Sequence, residues 1–288
     1  MNILITGANG QLGTSLQQIP APEGDKYIYT DVEQLDITCR DKVFDCVIGN
    51  KIDVIINCAA YTNVDRAEDE PQLANLINNI AVENLALASA KASATLIHIS
   101  TDYVFGGNTH NTPCNELVDV HPTSVYGATK LAGEQAILRS GCQHIIIRTA
   151  WLYSPYGKNF LKTMLNLTAE REQVSVVFDQ VGTPTYAAHL AAAIRHIVDT
   201  RQLHNTGLYH YSNQGVCSWY DFAHAIASLA GHTQCKVNPC YSSQFPSKVV
   251  RPAYSVLDKT KITNTFGIDI PHWFDALKEC MLQIQTQC

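Results

Sequence analysis

The chain has 288 residues, 46% hydrophobic and 16% charged, with a net charge of -6. At about 150 residues per domain this allows one large domain or two fused ones, with a globular composition. An acidic balance with no block of Lys or Arg argues against nucleic acid as a partner. No apolar run reaches the roughly 18 residues that span a bilayer, so no membrane partner is expected. Met1 to Gly7 lacks the charged region and cleavage site of a signal peptide, which points to a cytoplasmic protein.

The ten cysteines (39, 46, 58, 114, 142, 217, 235, 240, 280 and 288) include no Cys-x-x-Cys pair. Without a secretory signal they read as reduced thiols. No Cys/His cluster has ligand spacing, so no metal site is expected.

Along the first half, apolar runs alternate with helical patterns. Asn2 to Thr6 reads as a strand. Gln11 to Ile19 reads as a helix with Leu12, Leu16 and Ile19 on one face, stopped by Pro20. Lys26 to Asp31 is a second strand. Thr38 is placed to cap a helix running to about Asn50, with Val43, Val47 and Ile48 inward. Asp53 to Ala60 is a third strand, followed by a long helical region from about Pro71 to Ala92. Thr95 to Ser100 is a fourth strand, Ser124 to Ser140 a helix and His144 to Arg148 a fifth strand.

Continuous apolar strands separated by helices imply a parallel sheet covered on both faces. The expected fold is α/β, a doubly wound parallel sheet of Rossmann type, with its ligand crevice at the carboxyl ends of the strands.

After about Trp151 the pattern becomes irregular. Phe160 to Arg171, Ala187 to Thr200 and Ser218 to Ala230 look helical, and Gly207 to Ser212 looks like a strand. Gly231 to Tyr254, with Pro239, Pro246 and Pro252, has little periodicity. A smaller, discontinuous α/β substrate-binding domain is expected. Residues 1–150 and roughly 180–212 would form the dinucleotide-binding domain, and roughly 151–179 and 213–288 the second.

Three segments carry chemistry. In Thr6-Gly7-Ala8-Asn9-Gly10-Gln11-Leu12-Gly13, the glycines follow the first strand and open the first helix. Gly7 allows the tight turn, Gly10 lets backbone approach a pyrophosphate, and Gly13 lets helix and strand pack closely. Asp31, ending the second strand, is placed to accept hydrogen bonds from an adenosine ribose, which favours NADH over NADPH. Asp36 and Ile37 are candidates for the adenine. Ala59 and Ala60 leave room for the inner ribose and nicotinamide.

Tyr126-Gly127-Ala128-Thr129-Lys130 places Tyr126 and Lys130 on one helical face. A nearby ammonium is expected to lower the phenol from about 10 and make Tyr126 a proton donor near neutrality. Lys130 can also hold the nicotinamide ribose. In Ser100-Thr101-Asp102-Tyr103-Val104-Phe105, Thr101 brings a hydroxyl to the crevice edge, where it can bond a substrate carbonyl.

These segments resemble the extended short-chain dehydrogenase/reductase family, and within it the group that reduces the 4-keto group of dTDP-4-dehydro-L-rhamnose. Further segments carry the likeness: Ile55 to Thr62, Val64 to Glu68, Arg148 to Tyr153, Asn159-Phe160, Asp179-Gln180-Val181-Gly182-Thr183-Pro184-Thr185, and Arg251-Pro252. The resemblance spans nearly the whole chain. It implies Tyr126 as catalytic acid, Lys130 as its partner, and Thr101 and Asp102 at the sugar. Gln11 and Leu12 would meet the pyrophosphate through their backbone. Asp31, Asp36 and Ile37 would line the adenosine site, and Ala60, Tyr61 and Thr62 the inner ribose and nicotinamide. Trp151 would face the sugar ring, and Asn78 would be the family's structural Asn. Arg251 is a candidate for the diphosphate, although Arg-Pro reads equally as a structural turn.

Cys58 and Tyr61 stand where Ala and His are familiar, and Gly106-Gly107 where an Asp-Gly or Pro-Gly turn is usual. The implied activity is NADPH- or NADH-dependent reduction of a nucleotide-sugar substrate, with a homodimer left open. The alternatives are a reductase or epimerase for another nucleotide-sugar, and a non-catalytic dinucleotide-binding subunit like the regulatory subunit of methionine adenosyltransferase.

Overall fold

In the computed structural model, residues 1–107, 111–245 and 247–287 are described, so Pro246 and Cys288 lie outside the described residues. The apolar runs become a six-stranded parallel sheet. Its strands are β1 (Asn2–Thr6), β2 (Lys26–Thr30), β3 (Val54–Asn57), β4 (Thr95–Thr101), β5 (Gln143–Thr149) and, far along the chain, Gly207–His210. The spatial order is Gly207–His210, β5, β4, β3, β1, β2. The connection direction reverses between β1 and β3, where Thr6 pairs with Thr30 on one side and Asn57 on the other. A crevice opens at the carboxyl ends of the strands at such a switch point.

Between these strands lie α1 (Gln11–Gln17), α2 (Arg40–Gly49), α3 (Val64–Ala67), α4 (Pro71–Asn75), α5 (Ala81–Ala92) and α6 (Val125–Ser140). Side chains on a strand alternate between faces, which divides the core in two. Ile3, Ile5, Ile56 and Ile147 pack on one face with Leu12 and Leu16 of α1. Leu4, Ile55 and Ile146 pack on the other with Val43 and Val47 of α2, Leu85 of α5 and Ile137 of α6. Each such side chain, fully removed from water, contributes about 1.5–3 kcal/mol. Ile48, expected inward, is exposed: it lies one position beyond Val47 and so about 100° off the buried stripe. Thr38 does not cap α2. The cap position is Cys39, and the Thr38 hydroxyl donates to Asp36.

The long helical region from Pro71 to Ala92 is interrupted by a π-helical turn at Leu76–Ile80. Buried Asn78 sits in that turn. Its Oδ1 accepts from the Tyr61 N–H (2.8 Å), and its Nδ2 donates to the Tyr61 carbonyl (3.1 Å) and to Thr129 on α6 (3.2 Å).

The later elements are β6 (Leu152–Tyr153), α7 (Phe160–Glu170), β7 (Gln173–Val177), β8 (Val181–Gly182), β9 (Thr185–Tyr186) and α8 (Ala187–Asp199). Then follow β10 (Gly207–His210, the sixth strand), β11 (Cys217–Ser218), α9 (Trp219–Leu229), β12 (Lys236–Cys240), α10 (Thr260–Phe266) and α11 (Trp273–Gln287). Leu190 and Ile194 of α8 join the core of the large sheet beside α1. A separate core gathers Tyr153, Leu161, Met164, Val176, Phe222 and Leu277. The stretch read as aperiodic contains β12, which pairs in parallel with β7 although Pro239 lies within it. A proline fits there because the pair has two strands only and each is an edge.

Candidate active site

The glycine turn sits at the switch point. Gly7 has φ +65°, and a Cβ on it would lie 2.6 Å from the Ala59 nitrogen. Only glycine fits this left-handed position against the end of β3. A Cβ on Gly13 would meet the Ala8 Cα at 2.6 Å, so the first turn of α1 lies directly on the turn before it. Gly10 has only the Gly7 carbonyl within contact of such a Cβ, at 3.3 Å, which leaves its outer side open to a ligand backbone. The amides of Gln11, Leu12 and Gly13 belong to the first helical turn and have no intrahelical partners. The Gln11 side chain turns elsewhere: its Oε1 accepts from Ser154 (3.0 Å) and Asn159 (2.9 Å).

Asp31 lies at the end of β2, beside the turn. Its Oδ2 accepts from the Asn9 N–H (3.0 Å) and its Oδ1 from the Val32 N–H (2.8 Å). Asp36 accepts from both the N–H and the hydroxyl of Thr38, which hold its carboxyl below the usual range. Ile37 is buried in the core with Val43 and Val47. Ala59 and Ala60 are half-buried beyond β3, and Thr62 is exposed. The Tyr61 hydroxyl donates to Glu70 (2.6 Å), and this bond raises the phenol above its ordinary value.

Across the crevice, Ser124 caps α6 by accepting from the Gly127 N–H, and the helix carries Tyr126 and Lys130 on one face. The Thr101 side chain lies beside Tyr126 and favours its ionised form, against burial, which favours the neutral phenol. The Thr101 hydroxyl is placed to donate to Asp102 Oδ1 (3.2 Å) and accepts from the Tyr103 N–H (3.2 Å). Asp102 is buried and, among the described residues, its Oδ2 has no partner; burial pushes its carboxyl up to about 6. The Tyr103 ring meets Tyr126 edge-on at 5.3 Å.

The lowering of the Tyr126 phenol expected from Lys130 is not observed. Burial holds the phenol well above its ordinary range. Lys130 points to β4 instead: its Nζ lies 2.6 Å from the Ile99 carbonyl and 3.2 Å from His98 Nε2. Burial pushes its ammonium down to about 8.

Trp151 follows β5 at φ 49° and stacks on Trp219 with centroids 3.6 Å apart and planes 12° from parallel. Beside the pair opens a cavity of about 1190 Å³, lined among others by Met164, Gln180, Trp219, Phe245 and Arg251. Arg251 links it to the catalytic cluster: Nη1 donates to the Tyr103 hydroxyl (2.9 Å) and Nη2 to Asp65 (2.7 Å). The expected residues Thr101, Asp102, Tyr126 and Lys130 thus come together, and Arg251 joins them through Tyr103. Asp36 and Ile37 are engaged in a local turn and in the core. Trp219 and His98 escaped the sequence reading, and Gly182 entered it only as part of the Asp179 to Thr185 run. For His98 the signal was present, a polar side chain inside the apolar run Leu96-Ile97-His98-Ile99.

A parallel sheet with a glycine turn after its first strand, and a Thr/Tyr/Lys cluster after its fourth, defines an extended short-chain dehydrogenase/reductase. The family profile described as RmlD substrate binding domain matches residues 1–286. The dTDP-4-dehydrorhamnose reductase of Aggregatibacter actinomycetemcomitans is 40% identical over 285 residues, 96% of this chain and 97% of that protein. The crystal structure of a dTDP-4-dehydrorhamnose reductase from Clostridium acetobutylicum superposes with TM-score 0.93 at 43% identity, covering 99% of this chain and 100% of that one. That of the Bacillus anthracis enzyme in complex with NADP gives 0.91 at 40% identity, covering 98% and 99%. The chain belongs to the dTDP-4-dehydrorhamnose reductase family.

Proposed function

We propose that the chain reduces the 4-keto group of dTDP-4-dehydro-L-rhamnose to give dTDP-L-rhamnose, using NADPH or NADH. The observation that carries this is the gathering of Thr101, Tyr103 and Tyr126 at the carboxyl edge of the sheet, with Lys130 one turn along the same helix. The glycine turn fits a dinucleotide: its outer side is open at Gly10, and it is too tight for any side chain at Gly7 and Gly13. When bound, the nicotinamide supplies the hydride.

The protein's own residues do the rest. Gly10, Gln11, Leu12 and Gly13 hold the pyrophosphate. Asp31, Asp36 and Ile37 lie along the adenosine, and Ala59, Ala60, Tyr61 and Thr62 along the inner ribose and nicotinamide. Tyr126 gives its proton to the oxygen that was the keto oxygen. Burial serves this step, because it keeps Tyr126 in the neutral phenol form until the ketone oxygen becomes basic. Thr101 and Asp102 orient the sugar beside that hydroxyl. Trp151, held between Trp219 and Gly182, borders the sugar with its ring edge, and Arg251 takes the diphosphate in the cavity. Fixing donor, ketone and acid in one place supplies much of the rate advantage.

We assign dinucleotide binding to residues 1–150 and roughly 180–212, and sugar-nucleotide binding to roughly 151–179 and 213–288. The separate core around Tyr153, Met164, Phe222 and Leu277 supports that division. Among the described residues, no helix is long and apolar enough to cross a membrane.

The test is product analysis by NMR with cofactor deuterated at the transferable position. Deuterium on C4 of dTDP-L-rhamnose is expected. Epimerised sugar without net cofactor consumption would identify an epimerase, and unchanged sugar with cofactor bound a regulatory subunit.

A further inference from the structure

Behind Lys130 lies a buried chain of hydrogen bonds in which each donor fixes the next. The Ala59 N–H, which can only donate, reaches Asn57 Oδ1 at 3.1 Å. The Thr6 hydroxyl lies 2.7 Å from the same oxygen and donates to it. The Asn57 amide is thereby oriented, and its Nδ2 faces His98 Nδ1 at 3.0 Å as a donor. His98 Nδ1 must accept, so the proton of the neutral ring sits on Nε2. That Nε2 is the atom 3.2 Å from Lys130 Nζ. An amine nitrogen can accept from this N–H; an ammonium, with no lone pair, cannot.

We propose that His98 is a positioning residue for Lys130. Fixed by Asn57 with its proton on Nε2, it presents an N–H to the lysine nitrogen and favours the amine of Lys130 over its ammonium. The proposal rests on the roles given above to Tyr126 and Lys130. In each cycle Tyr126 loses one proton to the reduced sugar and regains one from solvent.

The surroundings agree. His98 and Lys130 are both buried, and burial lowers the affinity of each for a proton. Glu134, one turn along α6, favours the ammonium, but its carboxylate is already bound by Arg148 of β5 (2.7 Å) and by Ser100 of β4. Cys58 after β3 is kept neutral by burial, its thiol pushed up to about 12, and the Tyr126 phenol is likewise held neutral. Asp102 accepts from the Thr101 hydroxyl. The packed α4 and π-helical turn carry no titratable side chain, and Glu83 and Lys91 of α5 are exposed. On α3, Asp65 is paired with Arg251 and Arg66 with Glu70.

The test is read by NMR on the free protein, so its failure is distinct from a failure to reduce the sugar. With 15N-labelled histidine, His98 is expected as a neutral ring protonated on Nε2. A ring protonated on Nδ1, or an imidazolium, at neutral pH overturns the proposal. With 13C-labelled lysine, Lys130 is expected to titrate below the ordinary lysine value of about 10.4. Asn57→Asp would turn His98 Nδ1 into a donor and leave a lone pair on Nε2. The Lys130 midpoint and the alkaline limb of the kcat profile should then both rise by about one pH unit or more. A midpoint that does not move overturns the proposal. If this variant does not fold, the tautomer in the unaltered protein decides the matter.

Discussion

Gly182→Ala probes how Trp151 is held. A Cβ at position 182 would lie 2.7 Å from the indole Cε2, 2.8 Å from Cζ2 and 3.0 Å from Nε1. Ordinary contact begins at 3.4 Å, so the ring must retreat by about 0.7 Å (3.4 − 2.7). Three features resist that movement. Trp219 stacks on the ring at 3.6 Å, the Trp151 backbone is fixed at φ 49°, and its carbonyl accepts from the Thr185 N–H at 3.2 Å. One methyl group forced into such packing costs about 1–3 kcal/mol. Falling on sugar binding, that cost raises KM for the nucleotide-sugar between about fivefold and a hundredfold. The assay is KM for the sugar nucleotide beside cofactor affinity and tryptophan emission. The expected result is a raised KM, altered emission and cofactor affinity unchanged within about twofold. A lowered Tm with KM unchanged would refute the reasoning, because Trp151 would then serve packing alone.

Tyr126→Phe keeps the ring against Tyr103 but removes the acid, and kcat should fall about 10²- to 10⁴-fold with cofactor affinity intact. Thr101 keeps the Tyr103 N–H and Asp102 as partners, so the same variant should lose no more than about 1 kcal/mol of stability in denaturant titrations. Asp31→Asn removes the carboxylate that would face a 2'-phosphate, and the ratio of kcat/KM for NADPH to that for NADH should rise about tenfold. Asp102 carries a pH signature. Its folded carboxyl lies at about 6 against an ordinary 3.8, so the folded chain holds the extra proton between those values. Stability from this group therefore falls as pH rises through that window and is lost above about pH 6. Asp102→Asn lacks that loss, so its stability relative to the unaltered protein should rise by about 2 kcal/mol between pH 4 and pH 7 in urea titrations.

The large sheet was legible because its strands are buried on both faces and read as apolar runs. The glycine turn and the Tyr126/Lys130 helix were legible because their spacing is local. What Lys130 touches was not: spacing put it on the face of Tyr126, but its direction is set by His98 and Ile99, which only the tertiary fold brings near. The β7–β12 pair was missed because Lys236-Val-Asn-Pro-Cys carries a proline that argues against a strand and is tolerated at an edge. Trp219 opens a helix behind the capping box of Ser218 and Asp221, which marks a helix start but says nothing of stacking on a residue 68 positions earlier (219 − 151).

The most direct measurement follows nicotinamide absorbance with purified protein, dTDP-4-dehydro-L-rhamnose, and NADPH or NADH in turn. Rapid oxidation of the cofactor, dependent on the sugar and slowed at least about a hundredfold in Tyr126→Phe, is the expected result. Cofactor that binds but stays reduced in the presence of this sugar would contradict the assignment.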